Sequence, residues 1–183
     1  MVMEKVKKFK LQTGDILSTY TPFEWKRPVT YMAPFIRFFT SYKWTHSAIA
    51  IEVWGQMFIC EAFTSGIIIK PLKEFPDGMQ VTVSRPKKEI DKRALSLKTL
   101  SKVSRTKYDI LDVFVFQIIY QLTGKWYGKK KARKAAKKFY CSEFVAWIYD
   151  QEFPNWYMTS PEDIHRNTQY FDHVYNGSDK NLI

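Results

Sequence analysis

Two cysteines are too few for a disulfide framework in 183 residues, so Cys60 and Cys141 read as free thiols in a reducing compartment. Histidine is scarce as well: His46, His165 and His173 are the full set. Neither residue type shows paired-ligand spacing, so no metal site and no cofactor is expected. No stretch reaches the ~20 apolar residues of a membrane span. The basic start, MVMEKVKKFKLQTGD, leads into no apolar run of signal-peptide length, and the expected location is cytoplasmic unless some other signal acts. Repeats, low-complexity tracts and Gly/Ser linkers are missing too, which predicts one domain over residues 1–183. Acid is the last shortage, with 18 Asp plus Glu against 29 Lys plus Arg, a net charge of +11.

What is present is a globular composition, 45% apolar and 17% aromatic. The excess basic charge is clustered at Lys5, Lys7, Lys8 and Lys10, and again at Lys125, Lys129, Lys130, Lys131, Arg133, Lys134, Lys137 and Lys138. Such a field favours an anionic partner, a cell-wall polymer or phospholipid surface met through Lys129, Lys130, Lys131, Arg133 and Lys134. The competing reading is a solvated helix face. Nucleic acid is the weaker partner, because Lys125-Trp126-Tyr127 is a loose stacking motif that matches no nucleic-acid fold.

Hydrophobic periodicity predicts strands in the first half and helices in the second, an α+β pattern. Gly14-Asp15 is turn chemistry opening a strand at Ile16-Leu17, and a helix is expected at about 29–39. His46–Val53 and Met57–Ala62 read as a hairpin around Trp54-Gly55-Gln56, followed by strands at Gly66–Lys70 and Val81–Ser84. Helices are expected at about 88–103, 110–122, 129–138 and 141–150.

Cysteine chemistry needs a thiolate, which a helix N-terminus and a neighbouring imidazolium both favour. In FYCSEFVAWIYD the stripe Phe144, Val145, Ile148 and Tyr149 puts Cys141 in the opening turn of a helix. Unpaired N–H groups there are also suited to a developing oxyanion. His46 opens the best-defined strand, whereas His165 and His173 lie in a polar C-terminal region that reads as surface. A core thiol and a hydrogen-bonded imidazole remain the bland alternative for this pair.

Glu52 and Glu61 are the acids placed to orient His46. A two-residue turn at Gly55-Gln56 pairs Ala50 with Glu61 and puts His46, Glu52 and Glu61 on one face, while a three-residue turn puts Cys60 there instead. Even in the first register Glu61 lies roughly 14 Å along the strand from the position opposite His46. Pairing alone leaves the third member open.

The ordered set LQTGDIL, KWTHSAIAIE, FICEAFTSGIIIKPL, KYDIL, YCSEFV and SPEDI resembles the permuted branch of the NlpC-type papain-like superfamily, the YiiX/YebB-like proteins, over most of the chain. The resemblance implies a circularly permuted papain-like fold, a small antiparallel sheet or barrel against helices with the nucleophile at a helix N-terminus. It implies Cys141 as nucleophile, His46 as base and Glu61, in preference to Glu52, as third member. It offers Tyr140 as a residue lining the site. Asp15 and Asp109 read as turn and cap residues. The basic run before Cys141 departs from the family pattern.

The activity this implies is a thiol hydrolase cleaving an amide, with murein-type peptides as the suggested class. One alternative is lipid acyl hydrolysis or transfer of the lecithin:retinol acyltransferase-like type. The other is a non-catalytic module that binds an anionic polymer.

Overall fold

The computed structural model describes residues 8–20, 43–63, 65–75, 78–109, 118–125, 127 and 137–183. Its centre is a six-stranded antiparallel sheet in the order β4-β3-β2-β1-β5-β8. The strands are β1 (Ile16–Tyr20), β2 (His46–Val53), β3 (Gln56–Phe63), β4 (Gly66–Pro71), β5 (Gln80–Pro86) and β8 (Phe171–Ser178). A short parallel pair, β6 (Lys107–Tyr108) and β7 (Lys138–Phe139), forms a second sheet. The described helices are α1 (Lys92–Leu100), α2 (Ile118–Thr123), α3 (Cys141–Ile148) and α4 (Pro161–Arg166). This mixed architecture agrees with the α+β, permuted papain-like expectation.

Strict alternation in the strands builds two apolar layers, because successive side chains point to opposite faces. One layer joins Ile16, Ile49, Ile51, Cys60 and Ile67 to the helix α3. The other gathers Leu17, Ala48, Ala50, Ile59, Val81 and Val83 beneath Leu72 and Phe75. The expected stripe on α3 is buried, and so is every other residue of that helix. A helix buried all round lies inside a fold rather than on it, so polar residues in it need partners. Ser142 Oγ accordingly donates to the Thr159 carbonyl at 2.8 Å, and Glu143 Oε2 accepts from Tyr140 N at 3.2 Å.

The hairpin differs from expectation in one consequential way. Its turn is Trp54-Gly55, with φ of 51° and 74°, so Val53 pairs with Gln56 and Ala48 with Glu61. Two positive φ values make a tight turn whose twist suits the flanking strands. Gly55 is the ordinary occupant of such a site, but a tryptophan carries a steric cost there, and neither the two-residue turn at Gly55-Gln56 nor the three-residue turn weighed from the sequence is the one formed.

Several other elements keep their type and change their ends. The first helix begins at Lys92, where Asp91 accepts from Ala94 N at 2.9 Å as an N-cap. Strand β8 and helix α4, the latter opened by a Ser160–Asp163 capping box, occupy the C-terminal stretch read as polar surface. The expected helix at 29–39 lies outside the described residues, as do 110–117 of the expected helix 110–122 and 129–136 of the basic one. Lys138, at the end of the latter, is in strand β7. Buried Asp15 keeps its expected turn role, accepting from Gln12 N and from the Arg85 guanidinium, each at 2.8 Å.

Candidate active site

Helix α3 starts at Cys141 because the preceding residue, Tyr140, is extended (φ −96°, ψ 175°) and the Glu143 side chain turns back onto its amide. The sulfur therefore sits at the open end of the helix, where unpaired N–H groups and the helix dipole favour an anion. It hydrogen-bonds the His46 side chain and accepts from the amides of Ser47 and Ser142. One amide comes from the sheet and one from the helix. The contact thus closes only when α3 packs on the start of β2.

His46 Nε2 lies 2.6 Å from Glu61 Oε2, and the same ring interacts with the Cys141 side chain. The observed register explains the contact: Glu61 is opposite Ala48, two residues from the position facing His46, not four. Diagonal neighbours on one sheet face are within reach of long side chains. The ~14 Å separation expected from the later turn is thereby corrected to about half that by strand rise. Glu52 lies six residues along β2 from His46, near the hairpin end, with its amide donating to Thr13 Oγ1 at 2.9 Å. The glutamate paired with the ring is Glu61.

The family model described as "Permuted papain-like amidase enzyme, YaeF/YiiX, C92 family" matches residues 10–168. The chain belongs to this family. No curated protein is significantly similar in sequence. Among solved structures, the metalloprotein yiiX from Escherichia coli O157:H7 has a TM-score of 0.55 and 14% identity over 91% of this chain and 98% of that one. That likeness is one of fold. The C92 family is one of cysteine amidases, and this chain is a cysteine-type hydrolase in that general sense.

The electrostatics of this C92 chain suit an ion pair. Burial alone pulls His46 down, but the Cys141 thiolate and the Glu61 carboxylate outweigh it and push the imidazolium up to about 10. Burial alone raises the Cys141 thiol, and the imidazolium together with the two amides brings it below the usual range. Glu61, also buried, is held down to about 2 by His46 and Lys70. Cys60 is the contrast. It is fully buried on the other face, and burial plus the nearby Glu61 push it up to about 12.

Tyr140 is 2% exposed, and its hydroxyl donates to the Tyr157 carbonyl at 3.3 Å. It thus lies in the core directly beside Cys141, which is itself 6% exposed. Partly exposed Tyr108 is within electrostatic reach of Cys141, its hydroxyl raised by burial and by Cys141, Glu143 and Asp109. Sequence reasoning stopped at Asp109 in the same KYDIL motif. The signal available was the motif's aromatic, one residue earlier. His165 and His173 stack on each other with centroids 4.4 Å apart, and His173 Nδ1 meets Ser84 Oγ at 3.0 Å. His173 is exposed, as expected of surface, but His165 is half-buried.

Proposed function

We propose that Cys141, His46 and Glu61 are the catalytic group of a hydrolase that cleaves an amide bond through a thioester, with murein-type peptides as the substrate class. The observation that carries this reading is the unbroken line Glu61–His46–Cys141, ending on a sulfur at a helix N-terminus. The thiolate attacks the carbonyl carbon, and N–H groups at the start of α3 take up the negative charge of the tetrahedral intermediate. As the C–N bond breaks, the His46 imidazolium protonates the leaving amine. The now neutral imidazole takes a proton from water, hydroxide attacks the thioester, and the C–S bond breaks to release the acid and restore the thiolate. Glu61 keeps the ring oriented and stabilises its charged form throughout.

The Escherichia coli neighbour is described as a metalloprotein. In this chain no group of three or more His, Cys, Asp or Glu side chains suited to a metal occurs among the described residues.

The test is labelling with a thiol-directed acyl probe, followed by turnover of murein-type peptides set against acyl lipids. Peptide turnover lost in Cys141→Ala is expected. Turnover of acyl lipids alone replaces the amidase reading with lipid acyl hydrolysis. Peptide turnover undiminished in Cys141→Ala removes the nucleophile.

A further inference from the structure

Glu61 has a second partner that the reaction sketched above does not use. Lys70 Nζ lies 2.7 Å from Glu61 Oε1, the oxygen that His46 does not take, as an ion pair whose angle departs from that of a hydrogen bond. The register accounts for the approach. Lys70 is opposite Ile59 and therefore diagonal to Glu61, just as His46 is diagonal to Glu61 on the other side. One face of β4, β3 and β2 thus carries the row Lys70, Glu61, His46, leading to Cys141.

We propose that Lys70 is a positioning residue for the hydrolase, which holds Glu61 ionised and aligned from the side opposite His46 and so sets the pH range over which the Cys141–His46 pair is charged. The inference rests on the assignment of those three residues. A carboxylate 3% exposed needs compensation, since a buried charge without a partner is expensive. His46 alone would have to serve both as that compensation and as the proton donor to the leaving group. With Lys70 present the carboxylate keeps a counter-ion after the imidazolium has given up its proton.

Lys70 is built for the task. Its ammonium sits 5.1 Å from the ring centroid of Phe75, a residue only 2% exposed, so ring and carboxylate fix the head group between them. The lysine side chain keeps 29% exposure, so it links a buried carboxylate to solvent without being buried itself. Among the described residues the other titratable groups near this row are Cys60, next to Glu61 in the chain but on the opposite face of the sheet, and Tyr108, Glu143 and Asp109 around Cys141. None of these is a cation, so among the described residues Lys70 and His46 carry the positive charge of the row.

The sign of the effect follows from charge. Removing the Lys70 cation makes the array one unit more negative, which disfavours forming the thiolate and also disfavours losing the imidazolium proton. Both limbs of a pH profile then move to higher pH, by about one unit for a cation about 10 Å away at an effective dielectric of about 20.

The experiment measures alkylation of Cys141 by iodoacetamide against pH in a Cys60→Ala background, for Lys70, Lys70→Met, Lys70→Gln and Lys70→Arg, with thermal melts as the check on folding. Expected are an acid limb displaced upward by about one unit in the Met and Gln variants, hence about tenfold slower alkylation at a fixed pH on that limb, and its return in Arg. A limb left in place overturns the proposal, whether the rate is unchanged or lowered equally at every pH, the latter being a merely structural role. If Met fails to melt cooperatively, the Gln-against-Arg comparison decides. Alkylation needs no substrate, so a protein that hydrolyses nothing would sink the amidase reading and leave this readout standing.

Discussion

Replacing Glu61 by Gln removes the charge at the centre of the row while keeping the side-chain shape. The folded carboxyl sits at about 2 against an ordinary value of 4.5, so its ionised form is favoured by about 2.5 units. At 1.36 kcal/mol per unit that is about 3 kcal/mol, with no discount for solvent because the side chain is 4% exposed. Since the folded value lies below the unfolded one, this contribution is complete above about pH 4.5 and fades as the pH falls toward 2. Glu61→Gln should therefore lower unfolding stability by about 3 kcal/mol at pH 7 and by less than about half of that at pH 3, where the native carboxyl is closer to its own neutral form. Urea unfolding midpoints and slopes at pH 7, 5, 4 and 3 measure it. A deficit of the same size at every pH would refute the ion-pair account and leave a packing defect. No deficit at pH 7 would mean that desolvation cancels the pair.

Iodoacetamide at pH 7 should alkylate Cys141 at least about a hundredfold faster than Cys60, whose thiol is held near 12 and fully buried; peptide mapping after short exposure reads the ratio, and equal rates would remove the thiolate. Gly66→Ala should cost about 2 kcal/mol or more, because the residue sits at φ +118° and a Cβ would clash with the Thr106 carbonyl oxygen; a thermal melt within a degree of the native one contradicts the backbone geometry. Replacing Lys130, Lys131, Arg133 and Lys134 by Gln should weaken binding to anionic liposomes or wall material and flatten its salt dependence, while turnover of a small soluble substrate stays within about twofold, if the run acts through a field that salt screens within about 8 Å at physiological ionic strength. Unchanged surface binding would leave the basic run as a solvated face.

Sequence and structure agree most where the physics is local. The short apolar run in HSAIAIEV, bounded by the turn signal Trp54-Gly55, specifies a strand, and that strand runs His46–Val53 as read. The apolar stripe after Cys141 specifies a helix beginning there, which is enough to nominate a nucleophile. Choosing His46 over His165 and His173 needed only the contrast between a strand start and a polar tail, and His46 is the histidine whose ring meets Glu61. No helix among the described residues is long and apolar enough to cross a membrane, in keeping with the absence of a long apolar run.

What the chain alone left open was decided by contacts between elements distant in sequence. Whether Glu61 or Glu52 meets His46 depended on a turn that puts Trp54 at positive φ, a conformation that propensity argues against. Shifting that turn by one residue moves the pairing by two, and only then are Lys70, Glu61 and His46 successive diagonals on one face. The burial of α3 on every side, the withdrawal of Tyr140 into the core and the docking of β8 on β5 have the same origin. Composition and periodicity tell a residue what conformation to adopt and which face to turn inward. The partner it meets there is set by register and packing, which are properties of two segments at once.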